Sequence, residues 1–234
     1  MLHSQVLYED NHLLALNKQA GQLVQGDCTG DVPLAETAKL YIKEKYHKPG
    51  AVYLGVVHRL DRPVSGVVVF ARTSKALTRM NALFRNRQTE KNYLAVVDRE
   101  PPQAADTLVH WLRKSEEKNK ATVYSTEVPA ALRCELSYRL LGRQGGFYLL
   151  EVRPLTGRPH QIRSQLAAIG CPIVGDVKYG FYRSNADGRI HLHAFSLAFT
   201  HPVKKTAVII RAPLPDEKIW NYFKGLKYEN GALD

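Results

Sequence analysis

The alternation of apolar and polar positions predicts many short strands interrupted by a few helices. Residues 5–9 and 12–17 alternate around Asp10-Asn11, a turn pair, and so predict a hairpin. Residues 33–47 carry Leu34, Ala38, Tyr41 and Ile42 at helical spacing behind Asp31, the expected N-cap. Pro49-Gly50 stops that helix. Residues 54–57 and 66–71 are short β-rich runs, and 58–65 is the loop between them. Thr73 is expected to cap a helix over 74–87 that buries Leu77, Met80 and Phe84, after which 91–97 returns as a strand.

The second half reads as mostly β, with strands at 107–112, 121–126, 132–142 and 147–153. The charged stretch 114–120 predicts a surface turn, and the glycine-rich stretch 142–146 predicts a hairpin turn. Residues 158–169 predict a helix with Pro159 in its first turn and Gly170 as its stop. Strands at 191–199 and 205–211 precede a last amphipathic helix over 216–225, with Ile219, Trp220 and Phe223 facing inward. Strands and helices do not alternate as βαβ units. The expected class is therefore α+β, with a mixed, largely antiparallel sheet and flanking helices. No stretch is long enough to act as a linker, so residues 1–234 read as a single domain.

Composition narrows the class. The apolar fraction of 44% excludes wholesale disorder. The longest apolar runs, 66–71 and 207–210, are too short to cross a bilayer. The start, MLHSQVLYED, lacks the basic and apolar segments of a secretory signal. Cys28, Cys134 and Cys171 are odd in number and widely spaced, which excludes a simple disulfide framework and a CxxC knuckle. A reduced, cytoplasmic setting follows. The net charge of +11 calls for a polyanionic partner, without choosing between RNA, DNA and anionic lipid.

Three clusters carry candidate chemistry. The loop His58-Arg59-Leu60-Asp61-Arg62 lies between two β-rich runs. Cations on either side of Asp61 favour its carboxylate, which could serve as a nucleophile. The segment 153–165 supplies Arg153, Arg158 and Arg163 around a helix start whose free N–H groups also suit anions. If Arg163 folds back toward Asp61, it holds that carboxylate charged. Lys91-Asn92-Tyr93 opens a strand, and Tyr93 can be either core packing or a stacking surface for a base. His191 and His193 share one strand face, yet no HExxH, acidic triad or Cys/His set supports them, so no metal is expected. No glycine-rich phosphate loop is present.

Taken together, the motifs resemble those of pseudouridine synthases of the RluA type. His58-Arg59-Leu60-Asp61, followed by Ser65-Gly66, is similar to the family signature. Lys91 to Ala95 resembles its tyrosine motif, and Arg153 to Arg163 its basic motif. Asn17-Lys18 with Ala20-Gly21, Gly175-Asp176 with Tyr179-Gly180, Leu192-His193-Ala194 and His201-Pro202 resemble its remaining motifs, in order, over about residues 5–213. The resemblance implies the pseudouridine synthase fold with a central catalytic cleft. It also implies isomerisation of uridine in structured RNA, either rRNA or tRNA, without a cofactor. It assigns Asp61 as catalytic nucleophile or base, Tyr93 as the ring stacked on the uracil, and Arg163 as the partner of Asp61.

Arg59 could fill the space vacated by an extruded uridine, and Ile162 and Leu192 could supply apolar walls. His58, Arg62, Arg158 and His160 complete the expected RNA contacts. Two positions depart from the family pattern: Gln19 stands where Pro is usual, and Val64 where Thr is usual. With the catalytic motifs beginning near residue 17, an N-terminal accessory RNA-binding module is not expected. A monomer is the default for a chain acting on one RNA. The competing reading is a non-catalytic RNA-binding or ribosome-assembly protein on the same fold, which would not need Asp61, Tyr93 and Arg163 in register.

Overall fold

The computed structural model describes residues 2–27 and 29–226, so Cys28 lies outside the described residues. In chain order the strands and helices are β1 (Val6–Glu9), β2 (Leu13–Lys18), α1 (Leu34–Lys45), β3 (Gly55–Val56), β4 (Ser65–Ala71), α2 (Ser74–Arg85) and β5 (Thr89–Val97). They continue as β6 (Ala105–Ser115), β7 (Lys120–Tyr124), β8 (Leu132–Gln144), β9 (Phe147–Pro154), α3 (Gln161–Ala168), β10 (Leu192–Thr200), β11 (Ala207–Arg211) and α4 (Lys218–Asn221). The class is α+β, with mixed but largely antiparallel pairing. The chain forms two compact units. One holds the described residues up to Tyr93 together with Asn185–Pro213, and the other holds Leu94–Ser184 together with the described residues from Leu214.

In the first unit the strands run in the order β1-β2-β4-β10, with β11 on β10 and β3 on β4. Asp10 shapes the first hairpin turn, because its carboxylate accepts from the His12 and Leu13 N–H groups. Strand β4 is buried at all seven positions, as a central strand covered on both faces must be. It pairs antiparallel with β2 and parallel with β10. Leu13, Ala15, Val67, Val69, Met80, Leu197, Phe199 and Ile210 pack into its core. Thr73 caps α2 as expected, its hydroxyl accepting from Ala76 N–H at 3.1 Å.

The starts of α1 and α3 differ from the sequence reading. Helix α1 is not capped by Asp31. Pro33 precedes it in extended backbone, and Leu34 and Ala35 donate instead to the carbonyls of Leu23 and Val24. A neighbouring loop thus satisfies the amides that a cap would take, and Asp31 pairs with Arg62 at 2.6 Å. Helix α3 begins at Gln161, not 158, because His160 sits in the left-handed region (φ 55°).

In the second unit the order is the end of β5 (from Leu94 on), then β9-β8-β6-β7. Strand β6 runs on through Ser115, so the charged turn is shorter than expected, and Gly145-Gly146 turns β8 into β9. Burial alternates along β8, and Cys134, Leu136 and Tyr138 face the core. The last helix is only Lys218–Asn221, although Trp220 and Phe223 are buried as expected. No helix among the described residues is long and apolar enough to cross a membrane.

Candidate active site

The Asp61 loop is held by its backbone. Val64 N–H donates to the Asp61 carbonyl at 3.0 Å, Gly21 N–H to the Arg62 carbonyl at 2.8 Å, and Ile190 N–H to the Pro63 carbonyl at 3.2 Å. The main clamp is Lys18, whose side chain is fully buried at the end of β2. Its ammonium donates to the carbonyls of Val64 at 2.6 Å, Gln19 at 3.1 Å and Arg62 at 3.1 Å. Three hydrogens thus meet three acceptors, which is what a buried ammonium requires. Burial pulls the Lys18 pKa down to about 7, with the Asp61 charge working against that fall and Arg62 adding to it. The Asp61 carboxylate also acts on Tyr93. Burial first, and the Asp61 negative charge second, raise the Tyr93 phenol above its ordinary value. Asp61 and Tyr93 are both half-buried.

The flanks of the loop have separate tasks. His58 is half-buried, stacks on Phe84 at 5.0 Å and accepts from Val69 N–H at 3.2 Å, so it anchors the start of the loop to β4 and α2. Burial, with Lys91 adding to it, lowers the His58 pKa to about 4 and keeps the ring neutral. Arg59 is exposed. Arg62 is exposed too, yet it donates to the Gly21 carbonyl and pairs with Asp31. Where the loop enters β4, the Ser65 hydroxyl meets His193 Nδ1 at 2.8 Å, and His193 Nε2 lies 3.5 Å from the Ala212 carbonyl. A neutral ring, donating from Nε2 and accepting at Nδ1, fits both contacts, and burial lowers its pKa to about 4. Next along β4, a Cβ on Gly66 would lie 2.3 Å from the Ala194 carbonyl oxygen, and its φ of 116° is one that glycine tolerates. Leu192, at the start of β10, is buried.

The second unit holds the basic segment. Arg163 is nearly fully buried and grips Asp176 at two points, Nε to Oδ2 at 2.7 Å and Nη2 to Oδ1 at 2.9 Å. Its guanidinium also lies over the Tyr179 ring, 5.0 Å from the centroid. Ala121 N–H donates to the Tyr179 oxygen at 2.8 Å, and His160 Nδ1 lies 2.8 Å from the same oxygen. His160 thus steadies Tyr179 beside the arginine. Ile162 is buried, and Arg158 is half-buried with its N–H donated to the Gln161 side chain. Gln161 also bonds Thr156 and the Glu135 carbonyl, which ties the basic segment to β8.

Asp61, Tyr93, His58, Arg59, Arg62 and Leu192 therefore belong to the first unit, and Arg158, His160, Ile162 and Arg163 to the second. Sequence reasoning gave no role to Lys18, Ser65, His193 or Asp176. Lys18 did carry a signal: it is a lysine at the end of the apolar run of β2, directly before a turn. Its acceptors at Arg62 and Val64 lie 44 and 46 residues away, beyond any local pattern.

Three comparisons bear on identity. Residues 12–168 match the family model for RNA pseudouridylate synthase. The chain is 31% identical to tRNA pseudouridine synthase C of Vibrio cholerae, covering 97% of this chain and 96% of that protein. It is also 31% identical to ribosomal large subunit pseudouridine synthase C of Vibrio vulnificus, covering 92% of this chain and 67% of that protein. The solved structure of human RNA pseudouridylate synthase domain containing 4 superposes with a TM-score of 0.77 at 24% identity, covering 92% of this chain and 90% of that one, and so shares the fold. With motif order, fold and sequence in agreement, the chain belongs to the RluA-type RNA pseudouridine synthases, enzymes that isomerise uridine to pseudouridine.

Proposed function

We propose that this enzyme isomerises specific uridines in a structured rRNA or tRNA, with Asp61 as the catalytic nucleophile or base. The carrying observation is a half-buried carboxylate on a loop fixed through its backbone, close enough to the Tyr93 phenol and the Lys18 ammonium for its charge to act on both. The relatives bear names of both target classes, rRNA and tRNA. The reaction breaks the bond from uracil N1 to the sugar C1′ and forms one from C5 to C1′. The proton leaves C5, and N1 gains one.

In this reading the uracil stacks against Tyr93, which retains the detached base while it turns. The Tyr93 phenol is protonated at neutral pH, as an ordinary phenol is, and the upward shift of its pKa takes it further from ionisation. Arg163 acts as the ion-pair partner of Asp61, its plane set by Asp176. Arg59 is exposed and fills the stack that the uridine leaves. Arg158 contacts RNA phosphate, while Ile162 and Leu192 wall the pocket. No cofactor takes part, and the reaction takes place in the reducing cytoplasm, where Cys134 and Cys171 remain free thiols.

The test is to supply the purified protein with rRNA and tRNA from a deletion strain and to map the pseudouridine formed. Asp61→Asn should abolish the product while leaving RNA affinity within about twofold, a change of at most about 0.4 kcal/mol. Arg163→Ala should cripple turnover, and Tyr93→Phe should keep the fold and bind RNA. Full activity of Asp61→Asn removes the central assignment. The non-catalytic reading predicts no pseudouridine from the unaltered protein.

A further inference from the structure

We propose that the open face of the sheet β9-β8-β6-β7 is a further RNA-contact surface. It would grip the substrate by its phosphates and by a stacked base away from the reacting uridine. The inference rests on the reading of this chain as an enzyme acting on RNA.

Strand parity defines the face. The register pairs Trp111 with Tyr124 and with Arg133, Ser137 with Arg153, and Arg139 with Glu151, so these side chains project on one side. The other side is the core. Leu108, Leu112, Ala121, Cys134, Leu136 and Val152 are buried there, and α3 packs over it, with Gln165 bonding the Leu108 carbonyl and His110. Among the described residues, the first side is open around Arg113, Arg133, Arg139 and Arg153, whereas toward the start of β9 Leu149 is buried and a Cβ on Gly142 would meet the Leu226 side chain at 2.6 Å. The side chains of Arg133, Arg139 and Arg153 are 51%, 42% and 52% exposed, and Arg113 is exposed too.

The charges are arranged in layers. Glu151 lies at the base, only 7% exposed, and receives Arg139 at 3.3 Å and Arg153 at 3.1 Å. Glu135 receives Arg133 at 2.8 Å. The carboxylates fix the guanidinium planes, while the outer edge of each arginine stays in water. Four arginines over two glutamates leave the face positive. A cleft of about 330 Å³ opens between Arg139 and Arg153, with Ser137 on its wall. Arg113 lies over the Tyr124 ring at 5.2 Å, with Nη2 2.6 Å from the phenol oxygen, and half-buried Trp111 stands opposite.

Arginine interleaved with aromatic rings on an open sheet suits a polyanion that carries bases. A protein partner would call for an apolar centre. Val109 is the one exposed large apolar side chain projecting from this face, at 36%. The net charge of +11 points the same way.

The test measures RNA affinity in the Asp61→Asn background, where no turnover intervenes, at several salt concentrations. Arg113→Gln and Arg139→Gln should each weaken binding about three- to tenfold and reduce the salt slope by about one. Trp111→Phe, which keeps an aromatic face, should bind nearly as the parent does. Tyr124→Leu should weaken binding equally at every salt concentration. In the active enzyme the two arginine variants should raise KM and leave kcat unchanged. Unaltered affinity and slope in both arginine variants overturn the proposal. So does loss of a co-purifying protein with RNA affinity intact. Absence of pseudouridine from the unaltered enzyme counts against the catalytic reading instead, because the affinity measurement stands apart from turnover.

Discussion

Strands β4 and β8 are both interior strands of their own units, but they are built to opposite plans. Strand β4 is buried at every position and leads straight out of the Asp61 loop. Strand β8 alternates, with one side in the core and the other carrying Arg133, Glu135, Ser137 and Arg139. A strand covered on both faces cannot shift without disturbing two layers of packing. That suits the role proposed for Asp61, since a catalytic carboxylate must be held to a fraction of an ångström. A strand covered on one face fixes its backbone while leaving its outer side chains free to meet a partner. The contrast separates a platform for chemistry from a platform for contact.

Gly66→Ala should break the first platform most severely. Its Cβ meets backbone, not a flexible side chain, at a φ that alanine resists. The expected loss is about 3 kcal/mol or more in urea unfolding. Lys18→Met keeps the apolar stem and removes the clamp. It should lower kcat by about 10- to 100-fold with RNA affinity retained, as a loosened loop misplaces Asp61.

The same variant should also change the pH profile of stability. Folded Lys18 titrates near 7 and the unfolded residue at 10.5. Between those values the unfolded chain holds more protons, so stability rises with pH in the unaltered protein. Lys18→Met should lose that rise. His58 and His193 act on the acid side, since both titrate near 4 when folded against an ordinary 6.5. Acidification from 6.5 toward 4 should therefore lower stability, and His193→Gln should reduce the slope by about one proton. The smallest effect belongs to β8. Ser137→Ala, on its open face, should change unfolding free energy by no more than about 0.5 kcal/mol.

The first hairpin, the Thr73 cap and the glycine turn between β8 and β9 were legible because each depends on residues a few positions apart. The start of α1 was not, since Leu23 and Val24 supply its acceptors from a separate loop. The start of α3 was hidden by His160, whose left-handed backbone no local pattern signals and whose ring meets Tyr179, 19 residues on. At the site, motif resemblance singled out Asp61, Tyr93 and Arg163. It did not reveal that Asp176 orients Arg163, or that Lys18 holds the loop, because both depend on contacts formed only on folding.

The Lys18 clamp has an evolutionary consequence. Its acceptors are main-chain oxygens, which every amino acid provides in the same form. Two of them belong to Gln19 and Val64, the positions at which the sequence departs from the motif pattern it resembles. A grip of that kind is blind to side-chain identity, so both replacements could accumulate without loosening it. What Lys18 grips is therefore the path of the main chain, whatever side chains stand at 19 and 64.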